Sequence, residues 1–68
     1  MTDNPLKNRE VIIEFQQIGT IVRVSAMDVK TLTEAIIQGP ASTPKPILER
    51  NALKKLEYTL KKKGIIPA

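Results

Sequence analysis

Residues 9–28 read REVIIEFQQIGTIVRVSAMD, and the fold is decided in this stretch. From Arg9 to Gln17 the side chains alternate: Val11, Ile13 and Phe15 fall on one side, Glu10, Ile12, Glu14 and Gln16 on the other. Successive strand residues point to opposite faces, so the pattern is that of a half-buried strand. Ile12 interrupts the polar side, so that side need not be wholly open to water. Gln17-Ile18-Gly19 reads as a tight turn, with Gly19 free to take the positive φ of a hairpin loop. Thr20 to Met27 alternates again, with Val22, Val24 and Ala26 on one face and Ile21, Arg23, Ser25 and Met27 on the other. The β-branched residues at 20, 21, 22 and 24 favour strand over helix. The stretch therefore predicts an antiparallel hairpin.

Beyond the hairpin, Asp28 to Leu32 reads as a connection in which Asp28 bonds to backbone amides ahead of it. Thr33 to Gln38 is expected to be a third strand, with Thr33, Ala35 and Ile37 on one face and Glu34, Ile36 and Gln38 on the other. A helix competes here, because residues 31–37 hold Leu, Glu and Ala. The short segment, its end at Gly39-Pro40 and the marginal stability of a lone hairpin favour the strand. Residues 39–46 contain three prolines and are read as a loop. Ile47 to Lys63 is rich in helix formers, with Thr43 or Lys45 near its start and Pro44 or Pro46 in its first turn. Gly64 is the natural stop. Leu48, Ala52, Leu53, Leu56 and Leu60 share one stripe, and Arg50, Lys54, Lys55, Lys61 and Lys62 lie largely opposite. Glu57 and Lys61 are spaced to attract and Arg50 and Lys54 to repel, each by roughly a few tenths of a kcal/mol.

The predicted fold is α+β: a three-stranded antiparallel sheet in the order β-β-β-α, with the C-terminal helix packed on one face. Residues 1–8 are polar around Pro5 and are expected to be a flexible N-terminal segment, leaving residues 9–66 as one small domain. A domain of this size buries only about 60% of the surface its unfolded chain exposes. The chain has no cysteine and no histidine, so it can form neither a disulfide nor a thiolate or imidazole metal site. Small size without such a staple raises the weight of self-association.

Eleven Lys and Arg against seven Asp and Glu leave a net charge of +4, which suits an anionic partner and equally a solubilising surface. No apolar run is long enough for a secretory core or a membrane span, so the expected location is cytoplasmic.

The missing side chains argue against an enzyme. Acid–base work near neutral pH calls for a histidine or a shifted carboxylate pair. The carboxylates are Asp3, Glu10, Glu14, Asp28, Glu34, Glu49 and Glu57, of which only Glu10, Glu14 and Glu34 could share a sheet face. Solvated polar residues are the plainer reading of that trio. Ser25 and Ser42 have no base to activate them, and no phosphate-binding glycine loop or metal motif is present. No catalytic residue, metal ligand or cofactor is assigned.

Two surfaces remain. Ile12, Ile21, Met27 and Ile36 fall on the sheet face away from the helix and are candidates for a protein interface or homodimer, as is an exposed edge strand of the same sheet. Arg50, Lys54, Lys55, Tyr58, Lys61 and Lys62 are candidates for nucleic-acid or anion contact along the helix. Double-stranded RNA-binding domains also end in three strands and a lysine-bearing helix. Here, however, the N-terminal helix of those domains is missing and the lysines run through the helix. Membrane-surface binding would require bulky apolar residues beside the lysines, and these face the core. The expected function is thus a non-catalytic protein-interaction module able to self-associate, with nucleic-acid binding as the alternative.

Residues 10–19 (EVIIEFQQIG), 22–26 (VRVSA) with Asp28, Thr33-Glu34, and 52–58 (ALKKLEY) resemble a group of short uncharacterised alphaproteobacterial proteins. The resemblance spans roughly residues 9 to 64. It departs at residues 28–32, where the group is richer in glycine or proline. It implies a bacterial, intracellular protein and lends no function.

Overall fold

The computed structural model describes residues 6–67; of the segment expected to be flexible, residues 1–5 lie outside it. Three strands, β1 (Val11–Ile18), β2 (Ile21–Asp28) and β3 (Thr33–Pro40), form an antiparallel meander in the order β1-β2-β3, followed by helix α1 (Lys45–Lys62). The alternation places each strand face as expected. Val11, Ile13 and Phe15 align with Asp28, Ala26 and Val24 on β2, which align in turn with Thr33, Ala35 and Ile37 on β3.

The turns follow from single residues. Gly19 has φ +62° and Thr20 stays at negative φ, the signature of a type II′ hairpin whose twist matches that of the strands. The β2–β3 connection ends on Leu32 at φ 57°, a left-handed conformation that costs a residue with a Cβ about 1–2 kcal/mol. β3 runs two residues further than its polar–apolar pattern predicts, through Gly39 and Pro40. Proline is compatible with an edge strand because its missing N–H would face solvent and not a neighbouring strand. Gly39 lets the helix approach: a Cβ built there would stand 2.7 Å from Leu48 Cδ2.

Helix α1 starts at Lys45, two residues before its expected start, because Pro46 fits the first turn, where its N–H would be unpaired in any case. It ends at Lys62, and Gly64 at φ +76° turns the chain so that Ile65 N–H reaches Leu60 O at 2.9 Å. Lys61 and Lys62 in the last turn complement the negative end of the helix. The core comprises Val22, Val24, Ala26 and Ala35 from the sheet and Leu48, Ala52, Leu56 and Leu60 from the helix. Leu6 and Ile66, from either end of the chain, complete it. Leu6 therefore belongs to the packed domain although it lies within the polar first eight residues.

Candidate interaction surface

Strands sit about 4.8 Å apart and a helix with its side chains is about 10 Å across, so one helix covers two strands and not three. Here α1 packs on β3 and β2 and scarcely touches β1. The inner side chains of β1, Val11, Ile13 and Phe15, are left half-buried. Beside them runs a groove of about 440 Å³ floored by Val11, Ile13 and Leu53. Glu49, Arg50, Lys54 and Glu57 wall it on the helix side, and Lys45 Nζ lies 5.5 Å from the Phe15 ring centroid.

The two sheet edges differ. In an antiparallel ladder the bonded pairs alternate, and a two-residue hairpin begins with a bonded pair at Ile18 and Ile21. Even-numbered β1 residues therefore bond to β2, in keeping with the Val29 N–H to Glu10 O bond of 3.1 Å. Val11, Ile13, Phe15 and Gln17 point their N–H and C=O groups at the free edge. Among the described residues, no backbone hydrogen bond from another segment reaches these groups. The β3 edge is blunted. Pro40 has no N–H to offer, and Lys55 Nζ donates to Ile36 O at 2.8 Å. Lysine and proline are common devices against strand pairing, and β1 carries neither.

At the start of β1, Arg9 Nη1 meets the fully buried Asp28 Oδ2 at 3.0 Å. The same oxygen accepts from Thr31 Oγ1 at 2.6 Å and Thr31 N–H at 3.2 Å, the turn bond expected of Asp28. The Thr31 hydroxyl holds the Asp28 carboxyl below its ordinary value, with Arg9 and the Thr31 amide assisting, against the upward push of burial. Asp28 Oδ1 has no partner among the described residues. This cluster pins the entry of β1 to the β2–β3 turn and has the character of a structural clasp.

The predicted interface residues share the outer face but not one patch. Ile12 pairs with Met27, with Ile36 diagonal to Met27, at one end. Ile21 pairs with Ile18 and Pro40 at the other. Between them runs the polar row Gln16–Arg23–Gln38. Glu14 and Glu34 border the same shallow depression as Arg23, two strands apart and out of register. Among the described residues no group of three or more acidic side chains is placed to hold a metal ion. A further depression of about 720 Å³ lies near the Gly19 turn and Pro40 and is lined by no titratable side chain.

The basic helix residues do not converge. Arg50 and Lys54 flank the β1 groove together with Glu49 and Glu57. Lys61 is paired with Glu57 at 2.8 Å. Lys55 reaches over the opposite, β3 edge, and Lys62 Nζ sits 6.0 Å from the centroid of the exposed Tyr58 ring. Sequence reasoning allowed for an exposed edge strand but did not single out β1. The mismatch in width between one helix and three strands would have revealed that the helix leaves one strand uncovered.

The fold defines a small α+β domain in which, among the described residues, no segment pairs with the outer edge of β1. The family described as Domain of unknown function (DUF6898) matches residues 8–63, and the chain belongs to that family. No curated protein and no solved structure matches it. Among the described residues no helix is long and apolar enough to cross a membrane.

Proposed function

We propose that this domain is a small non-catalytic protein-interaction module that binds its partner along β1. One observation carries the reading: α1 packs on β2 and β3, and among the described residues nothing pairs with or blunts the β1 edge, while the β3 edge is capped by Lys55 and Pro40. An extended segment added at such an edge gains main-chain hydrogen bonds, and the half-buried Val11, Ile13 and Phe15 gain burial. The outer-face residues Ile12, Ile21, Met27 and Ile36 form a secondary surface, interrupted by Arg23 and its two glutamine neighbours.

Nucleic-acid binding along α1 has less support. Its cations are spread over both flanks of the helix, and two carboxylates interleave them. The resemblance of residues 10–58 supports an alphaproteobacterial, cytoplasmic protein, which cell fractionation would check.

A photoreactive amino acid in place of Gln17, at the exposed end of β1, tests the binding side in irradiated cells. The expected result is a discrete protein adduct. An adduct to nucleic acid, or no protein adduct at all, overturns the reading.

A further inference from the structure

We infer that the occupant of the β1 edge is a second copy of the chain, paired antiparallel about a two-fold axis at Ile13. This rests on the reading of β1 as the binding side and names its partner. The result is a six-stranded sheet with both helices on the same face, since a two-fold axis perpendicular to a sheet preserves its faces.

The register follows from the residues that point outward and from their charges. Pairing must use the free groups of Val11, Ile13, Phe15 and Gln17. An axis at Glu14 sets that carboxylate directly against the partner's Glu14, and an axis at Ile12 sets Glu10 against the partner's Glu14. Like charges directly opposite on a sheet are destabilising. An axis at Phe15 opposes Ile13 to the partner's Gln17 and Val11 to the partner's Gly19, which wastes the apolar face.

An axis at Ile13 avoids each fault. Ile13 meets the partner's Ile13, and Val11 meets the partner's Phe15 on the inner face. On the outer face Ile12 meets the partner's Glu14 and Glu10 meets the partner's Gln16, with no like charges opposed. The half-buried Val11, Ile13 and Phe15 of both copies then lie side by side between the two helices. A sequence that matches itself about one residue, on a sheet edge that no described segment pairs with, is what a second copy requires. It also supplies the burial that a domain this small lacks.

The test combines sedimentation with amide exchange on the whole chain. The mass is expected to rise with concentration to twice that of one chain. In the dimer the amides of Val11, Ile13, Phe15 and Gln17 should exchange at least about tenfold more slowly than in the dilute monomer. Those of Ile12, Glu14 and Gln16, bonded to β2, should be protected in both. Ile13→Lys should remain folded by circular dichroism and stay monomeric, while Ile21→Lys on the outer face should still dimerise. If Ile13→Lys does not fold, the wild-type exchange pattern decides by itself.

A dimer whose odd-numbered β1 amides exchange freely, or one broken by Ile21→Lys and not by Ile13→Lys, overturns the inference. A strict monomer at all concentrations does so too. The cross-link from position 17 separates this failure from that of the broader reading. A discrete adduct to a different protein removes the second copy and leaves β1 as the binding edge, whereas absence of any protein adduct removes both.

Discussion

Replacing Asp28 by alanine removes the clasp between β1 and the β2–β3 turn. The lost interactions are three bonds to Oδ2: from Arg9 Nη1 at 3.0 Å, from Thr31 Oγ1 at 2.6 Å and from the Thr31 amide at 3.2 Å. Thr31 is exposed, so its groups can turn to water at little cost. The Arg9 side chain is only 17% exposed and loses its carboxylate. Breaking a buried ion pair costs about 3–5 kcal/mol. Partial access of Arg9 to water, and relief of the unpartnered Asp28 Oδ1, lower the expected loss to about 2 kcal/mol. In a domain of this size that is a fall in Tm on the order of 10 °C. Urea unfolding followed by circular dichroism should show a lower midpoint at an unchanged slope.

The pH dependence has a definite sign. The folded carboxyl titrates below the ordinary 3.8, so its stabilisation is fully present above that value and is lost as pH falls through the folded pKa. The wild type and Asp28→Ala should therefore converge in stability on acidification. A loss below about 0.5 kcal/mol at neutral pH would refute the clasp, as would a gap that stays constant down to about pH 2.

Three further substitutions probe separate parts of the fold. Leu32→Gly removes a Cβ from a left-handed position and a side chain that is 70% exposed, so it should stabilise by about 0.5–1 kcal/mol; a lower Tm would show that the leucine packs usefully. Gly39→Ala should cost about 1 kcal/mol, because the new methyl displaces Leu48 Cδ2 in a closed core. Thermal melting reads that cost, and the double variant Gly39→Ala with Leu48→Ala should lose less than the sum of the singles. Leu56→Ala, at a fully buried position, should cost about 2–5 kcal/mol by urea unfolding, and a loss under 1 would contradict the placement of α1 on β2 and β3.

The sequence by itself determined the elements and their faces, because both are read from local periods. Alternation assigned the inward and outward residues of 11–17, 21–27 and 33–38, although Ile18, read as turn, belongs to β1 and Thr20, read as strand, lies in the turn; the stripe from Leu48 to Leu60 assigned the buried side of α1. Gly19 and Gly64 marked their turns because only positive φ closes the chain there. Contacts between distant residues leave no such period. Arg9 and Asp28 are 19 residues apart, and neither carries a local sign that they meet. Leu6 and Ile66 are single apolar residues near the chain ends, whose burial depends on a core assembled elsewhere.

Packing also divided the surfaces that looked continuous in the sequence. Register set Gln16, Arg23 and Gln38 side by side and so separated Ile21 from Ile12, Met27 and Ile36. The flanks of α1 face different edges of the sheet, which sent Arg50 and Lys54 to one side and Lys55 to the other. Which strand the helix leaves uncovered was likewise a tertiary outcome: one helix is two strands wide, and α1 sits on β2 and β3.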